Sequence, residues 1–257
     1  MTLFYLKLCV TPLLMWAISL ASRRWGGLLG GLLSGLPITS GLVMTFLCLE
    51  QGADFVLGAV PGALGGLAAV QATYAFYLFA TRKAGVASAA LMAILFYGVA
   101  AYAFTHWGGL YLSIGVALLL IGVLIRVSGR EPQPDTLTRP RHRYWEIPLR
   151  MVSATSLLMV TTSLASWLGP ATSGMLAPIP VIAWPLVVFA HVQGGRAAMA
   201  AMVRGNAIGA VGVIAFYLVV AGLLERLGVA VTISLAMGVA VALTIALAAG
   251  LRRIRAS

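Results

Sequence analysis

Residues 30–41 read GGLLSGLPITSG. The stretch lies inside an apolar run long enough to cross a membrane, yet it carries Pro37, several glycines and the hydroxyls of Ser34, Thr39 and Ser40. Proline removes a backbone donor and clashes with the carbonyl one turn before it. Hydrocarbon offers the freed carbonyl no partner, so a broken helix persists there only where protein or a water-filled cavity surrounds the break. Residues 173–185, SGMLAPIPVIAWP, are a counterpart in the second half, with Pro178 and Pro180. Paired interrupted helices in two halves of a chain point to the binding site of a transporter.

Composition sets the class. Of 257 residues, 61% are hydrophobic and only 9% charged, and the mean hydropathy is +1.01. Soluble domains keep about a quarter of their residues charged. Apolar runs of about 20 residues indicate helices, whereas barrel strands would alternate over about 10. The reading is an all-α, multi-pass membrane protein. Its net charge of +11 does not indicate a nucleic-acid partner, because most arginines fall between apolar runs, where they orient membrane helices.

Nine spans are expected, at about 3–21, 26–49, 55–80, 86–104, 110–125, 149–168, 172–192, 206–224 and 229–251. Lys7 interrupts the first run, so it reads as a retained anchor rather than a cleaved signal. The chain divides into a first repeat at 1–125, a basic cytoplasmic linker at 126–146 and a second repeat at 147–257. Arg23/Arg24, Arg82/Lys83, the linker, Arg196/Arg204 and the C-terminal arginines share one side if the N-terminus is outside and the C-terminus inside. The implied location is a bacterial inner membrane.

Sliding the chain against itself gives a gapless register at an offset of 143 residues, with Pro37 meeting Pro180, Gly62 meeting Gly205, Gly66 meeting Gly209 and Tyr74 meeting Tyr217. Five spans precede the second copy, so the copies would insert in opposite orientations. Inverted repeats place two related half-sites near the bilayer midplane, the geometry of alternating access.

The first copy resembles a group of small bacterial membrane proteins of about four helices with no assigned activity. The resemblance lies in Phe4-Tyr5-Leu6-Lys7, in residues 22–30 (SRRWGGLLG) and in residues 34–40 (SGLPITS). It implies an ancestor that worked as an antiparallel pair and was later fused, and Ala177-Pro178-Ile179-Pro180 departs from the pattern. The overall plan is also similar to that of small drug/metabolite-type transporters, a likeness of architecture alone.

The site candidates follow from the breaks and from the rare intramembrane charges. Ser34, Pro37, Thr39, Ser40, Pro178 and Pro180 are the substrate-lining set, since a helix restarting after proline presents free N–H groups to an anion. The same residues also suit a kink with close helix packing. Lys7 and its register mate Arg150 are either cationic handles for an anion or side chains snorkelling to the headgroups. Glu50 either pairs with Lys7 or exchanges protons to couple transport, and His191 is a second coupling candidate on the inner side; the alternative is that both mark the membrane edge. Tyr74 and Tyr217 are set between ligand contact and helix packing; Gln71 and Asn206 are read only as intramembrane hydrogen-bonding residues.

No Walker lysine, catalytic triad or His/Cys cluster with metal spacing occurs, so no enzyme activity, cofactor or metal is expected. The expected activity is secondary transport of a small organic anion or an anionic amphiphile, with a homo-oligomer left open. Rival readings are a fused dual-topology ion channel, a lipid translocase or scramblase, and a non-transporting scaffold in which Pro37 and Pro180 matter for stability alone.

Overall fold

A chain this apolar must satisfy its backbone internally, and α-helices do so within each segment. The computed structural model describes residues 2–130, 146–180 and 183–256, and its regular elements there are all helical. In chain order they are α1 (Thr2–Gly35), α2 (Ile38–Gln51), α3 (Ala53–Ala80), α4 (Val86–Trp107), α5 (Leu110–Ser128), α6 (Glu146–Ser163), α7 (Ala165–Leu176) and α8 (Ala183–Ala256).

Among the described residues four helices are long and apolar enough to cross a membrane: Ala53–Ala80, Val86–Phe104, Leu110–Ser128 and the 69-residue run Ala183–Leu251. Several long apolar helices are the mark of a membrane protein, but the count falls short of the nine spans expected. Part of the shortfall lies in Ala183–Leu251, a single run although Gly195 and Gly228 are non-helical within it and the expected eighth and ninth spans both fall inside it; part lies at the charged pair Arg23/Arg24. α1 runs unbroken through Ser22-Arg23-Arg24, since arginine is a good helix former and nothing there obstructs the backbone. It ends instead at Leu36-Pro37, where the Leu36 N–H turns back to the Leu33 carbonyl. The expected second span is therefore shared between α1 and α2. The expected seventh is likewise divided, because α7 stops at Leu176 and α8 begins at Ala183. α3, α4 and α5 fall where apolar periodicity puts them, each bounded by a glycine or a short polar turn.

Four glycines have positive φ. Gly52 (φ 93°, ψ 171°) separates α2 from α3, and Gly195 (φ 67°, ψ −164°) turns the chain inside α8. Gly169 and Gly228, at φ 73° and 71°, do the same in α7 and further along α8. This region of backbone space is essentially closed to other residues. A Cβ on Gly52 would meet no atom within 4 Å, so its replacement tests backbone strain alone. Gly52→Ala is expected to cost about 1–3 kcal/mol and to lower the melting temperature in detergent. Gly98→Ala, inside α4 with ordinary φ and nothing within 4 Å of the added Cβ, should not lower it.

α3 is the centre of the bundle. It packs on α4, α5, α7 and α8, while α1 packs on α6 and most extensively on α8. The buried core joins Leu64, Tyr74 and Tyr77 of α3 to Met44 and Leu47 of α2 and to Phe216 and Tyr217 of α8. α4 and α5 instead expose broad apolar faces, among them Leu91, Leu95, Val99, Leu112 and Leu119, as helices in contact with lipid do.

The close packing is built on small residues. Gly58, Gly62 and Gly66 recur every fourth position, one face of α3, and look onto Pro170, the Ala171 carbonyl and Met175/Pro178 respectively. Gly174 of α7 answers by facing the Ala59 carbonyl. Between α1 and α8 the same is done by Gly35 and Gly209, where a Cβ on Gly209 would lie 2.8 Å from the Gly35 backbone.

Candidate functional site

The breaks at Pro37 and Pro180 open onto one cavity of about 40 Å³. Its walls come from four places in the chain: the end of α1 and start of α2 (Gly35, Leu36, Thr39, Ser40), α3 (Leu67, Val70, Gln71), the α7–α8 break (Ala177 to Pro180) and α8 (Asn206, Ala210, Val213). Leu67, Val70 and Gln71 stand at i, i+3 and i+4, and Asn206, Ala210 and Val213 at i, i+4 and i+7, so each helix offers one face. Among the described residues no charged side chain lines the cavity. One water needs roughly 10–15 Å³ of such space, so the cavity in this state has room for a few waters.

Backbone chemistry makes the wall polar. The Gly41 N–H donates to the Pro37 carbonyl at 2.7 Å, and the Ile38 N–H is spent on Leu36 at 2.8 Å. No side chain caps α2. The amides of Thr39 and Ser40 are thus the first-turn donors left without an intrahelical acceptor, and both residues line the cavity. Across the cavity the Trp184 N–H closes the equivalent turn on the Pro180 carbonyl at 2.8 Å. The Ser40 hydroxyl reaches the Ala177 carbonyl at 3.4 Å, joining the two breaks.

Gln71 is the most exposing feature of this site. It has no solvent exposure, and neither Nε2 nor Oε1 has a hydrogen-bond partner. Each unsatisfied buried polar group costs about 1–3 kcal/mol, so this amide on the cavity wall is placed to bond a group that both accepts and donates. The sequence signal was present, a lone amide in a 28-residue apolar helix, but only the fold turns it toward the two breaks.

The other candidates are distributed differently. Thr39, Ser40, Pro178 and Pro180 line the cavity, while Pro37 is buried and makes the break without standing on its wall. The side chains of Ser34 and Arg150 lie outside the described residues, as do residues 131–145 of the linker. Tyr74 and Tyr217 are fully buried and do not line the cavity, though the Tyr217 hydroxyl stands beside Ser40 of its wall; Tyr74 packs against Trp184 at 5.9 Å and Tyr217 against Phe216 at 5.4 Å. His191 Nδ1 meets the Tyr77 hydroxyl at 3.1 Å, and Trp184 lies edge-on to the same tyrosine.

Lys7 is 3% exposed, so it neither snorkels nor stands free. Its ammonium donates to Glu50 Oε1 at 2.5 Å and to the Thr162 hydroxyl at 2.7 Å, beneath the Phe46 ring at 5.5 Å. Thr162 passes the chain on by donating to the Leu158 carbonyl. Glu50 lies about 18 Å along α2 from Ile38 at 1.5 Å per residue, so this ion pair is separate from the cavity. It ties α1, α2 and α6 together.

No protein-family model, no curated protein and no solved structure matches this chain. The resemblance to small four-helix bacterial membrane proteins therefore rests on the quoted residues alone.

Proposed function

We propose that the chain is a secondary transporter moving a small organic anion or an anionic amphiphile by alternating access at the cavity between the Pro37 and Pro180 breaks. The observation that carries this reading is that two interrupted helices, far apart in sequence, share one polar cavity walled by uncapped amides and an unpartnered glutamine. In this reading the protein lies in a bacterial inner membrane with its N-terminus outside and its C-terminus inside. Its two halves are inverted repeats, with the segments of α8 on either side of Gly195 and Gly228 acting as separate spans. The few-water cavity is then a closed state, and substrate entry requires the breaks to part.

Four features in the 143-residue register support the duplication. The α-turns Gly41 to Pro37 and Trp184 to Pro180 correspond. Gly52 and Gly195 share a backbone conformation open only to glycine. The contact of Gly66 with Pro178 corresponds to that of Gly209 with Gly35. The cavity wall pairs Gly35 with Pro178, Leu36 with Ile179, Leu67 with Ala210 and Val70 with Val213. The register is not kept everywhere: Gly169 breaks α7, whereas its mate Gly26 lies within the continuous α1, and Gly228 has φ 71° where its mate Gly85 has φ −65°.

The test is counterflow in proteoliposomes with a panel of labelled small carboxylates. Saturable uptake accelerated by the same unlabelled compound on the far side is the expected result. Flux without that acceleration would replace the transporter with a channel. Movement of headgroup-labelled lipid with no carboxylate exchange would replace it with a lipid translocase.

A further inference from the structure

Resting on the transporter reading above, we propose that Gln71 and the free amides of Thr39 and Ser40 form the head-group site, and that its ligand is a small carboxylate bearing a neighbouring hydroxyl. A carboxylate accepts only. The turn at the start of α2 supplies two N–H donors to it, in the positive field of that helix's N-terminus, and Gln71 Nε2 supplies a third. Gln71 Oε1 still lacks a donor. A carboxylate alone would leave it unsatisfied and would bring like partial charges together. A hydroxyl beside the carboxylate supplies the missing proton, so the amide's two faces are both used.

The site does this without a cation. The Lys7 charge is already matched by Glu50 and shared with Thr162. The anion is therefore held by neutral dipoles that have no counter-ion to shed, and it gives up hydration for fixed N–H groups. A site built to bond a hydroxyl discriminates strongly against the analogue lacking it, because its own acceptor is then stranded.

Gln71→Leu separates this role from a structural one. If the amide served the fold, its removal would destabilise the protein. An unsatisfied buried amide replaced by an apolar side chain of similar size should instead leave the ligand-free protein as stable as before or more so. The experiment is thermal-shift titration of purified wild type and Gln71→Leu with lactate and with propionate, which differ by one hydroxyl, followed by lactate counterflow.

The expected result is a lactate-dependent rise in melting temperature, at least tenfold weaker with propionate, and absent in a Gln71→Leu protein of undiminished intrinsic stability. Equal shifts by lactate and propionate, a lactate shift retained in Gln71→Leu, or a lowered ligand-free melting temperature in that variant would each overturn the head-group assignment. If carboxylate exchange nevertheless persists, the transporter reading stands without it. Absence of any carboxylate shift and of any exchange in the wild type would remove both.

Discussion

Gly62→Leu is expected to prevent α3 and α7 from packing and to leave little or no monodisperse protein in detergent. A Cβ at position 62 would fall on the Ala171 carbonyl, and Gly174 is held just as closely against the Ala59 carbonyl one turn away. Both obstacles are backbone atoms of packed helices, so no rotamer change relieves them. Overfilling a core ordinarily costs about 1–3 kcal/mol, and here the clash is reciprocal and unyielding, which places the cost at or above that range. Marginal stabilities of about 5–15 kcal/mol leave limited room for it. Lipid tails give no hydrophobic drive to press the helices together, so their association depends on this close approach. Gly98→Leu on α4 is the control. A Cβ at Gly98 has nothing within 4 Å, and the variant should purify and melt like the wild type. A Gly62→Leu protein with wild-type yield and melting temperature would refute the α3–α7 contact described above.

That contact also shows what could be read from the sequence. The class follows from composition, and α3, α4 and α5 are legible because each is a single apolar run closed by glycine or a polar turn. Pro37 and Pro180 are legible as breaks because proline acts through its own ring and missing N–H, whatever surrounds it. The helix end expected near Arg23 is absent for the opposite reason. A charged pair signals where a helix meets water, but it does not stop hydrogen bonding along the backbone, and α1 continues to Gly35.

The site was partly legible for the same reason as the breaks. Thr39, Ser40, Pro178 and Pro180 reach the cavity because they belong to the interruptions themselves. Gln71 and Asn206 sit in the middle of regular helices, and only the rotation of α3 and α8 about their axes turns them inward. Rotation is set by which face carries the small residues, here Gly62 and Gly66 on α3. That relation appears once the partner helix is known. Lys7 shows the same limit from another side. Its rarity in an apolar run could be noticed at once, but Thr162 stands 155 residues away, and no local pattern joins them.

Glu50→Ala is expected to be the most damaging change among the polar residues, and Lys7 is the reason. Removing the carboxylate leaves an ammonium at 3% exposure with a threonine hydroxyl and an aromatic face as its remaining partners. Breaking a buried pair from one side costs about 3–5 kcal/mol, since the stranded charge has lost water and gained nothing. Glu50 keeps 23% of its side chain exposed, and some water reaches the site, so the lower end of that range, about 3 kcal/mol, is the expected loss. Lys7→Met should cost less, because the freed carboxylate is the member nearer to solvent. Lys7→Met combined with Glu50→Leu should recover most of the loss, as apolar replacement of a whole buried pair is often neutral. Melting temperatures of the four proteins give the coupling between the two positions directly. Strict additivity would mean that the pair is not formed in the folded protein. Strong coupling would place the tie between α1, α2 and α6 in Lys7 and Glu50, and lactate binding should then survive in the double variant, because neither residue reaches the cavity where Gln71 waits.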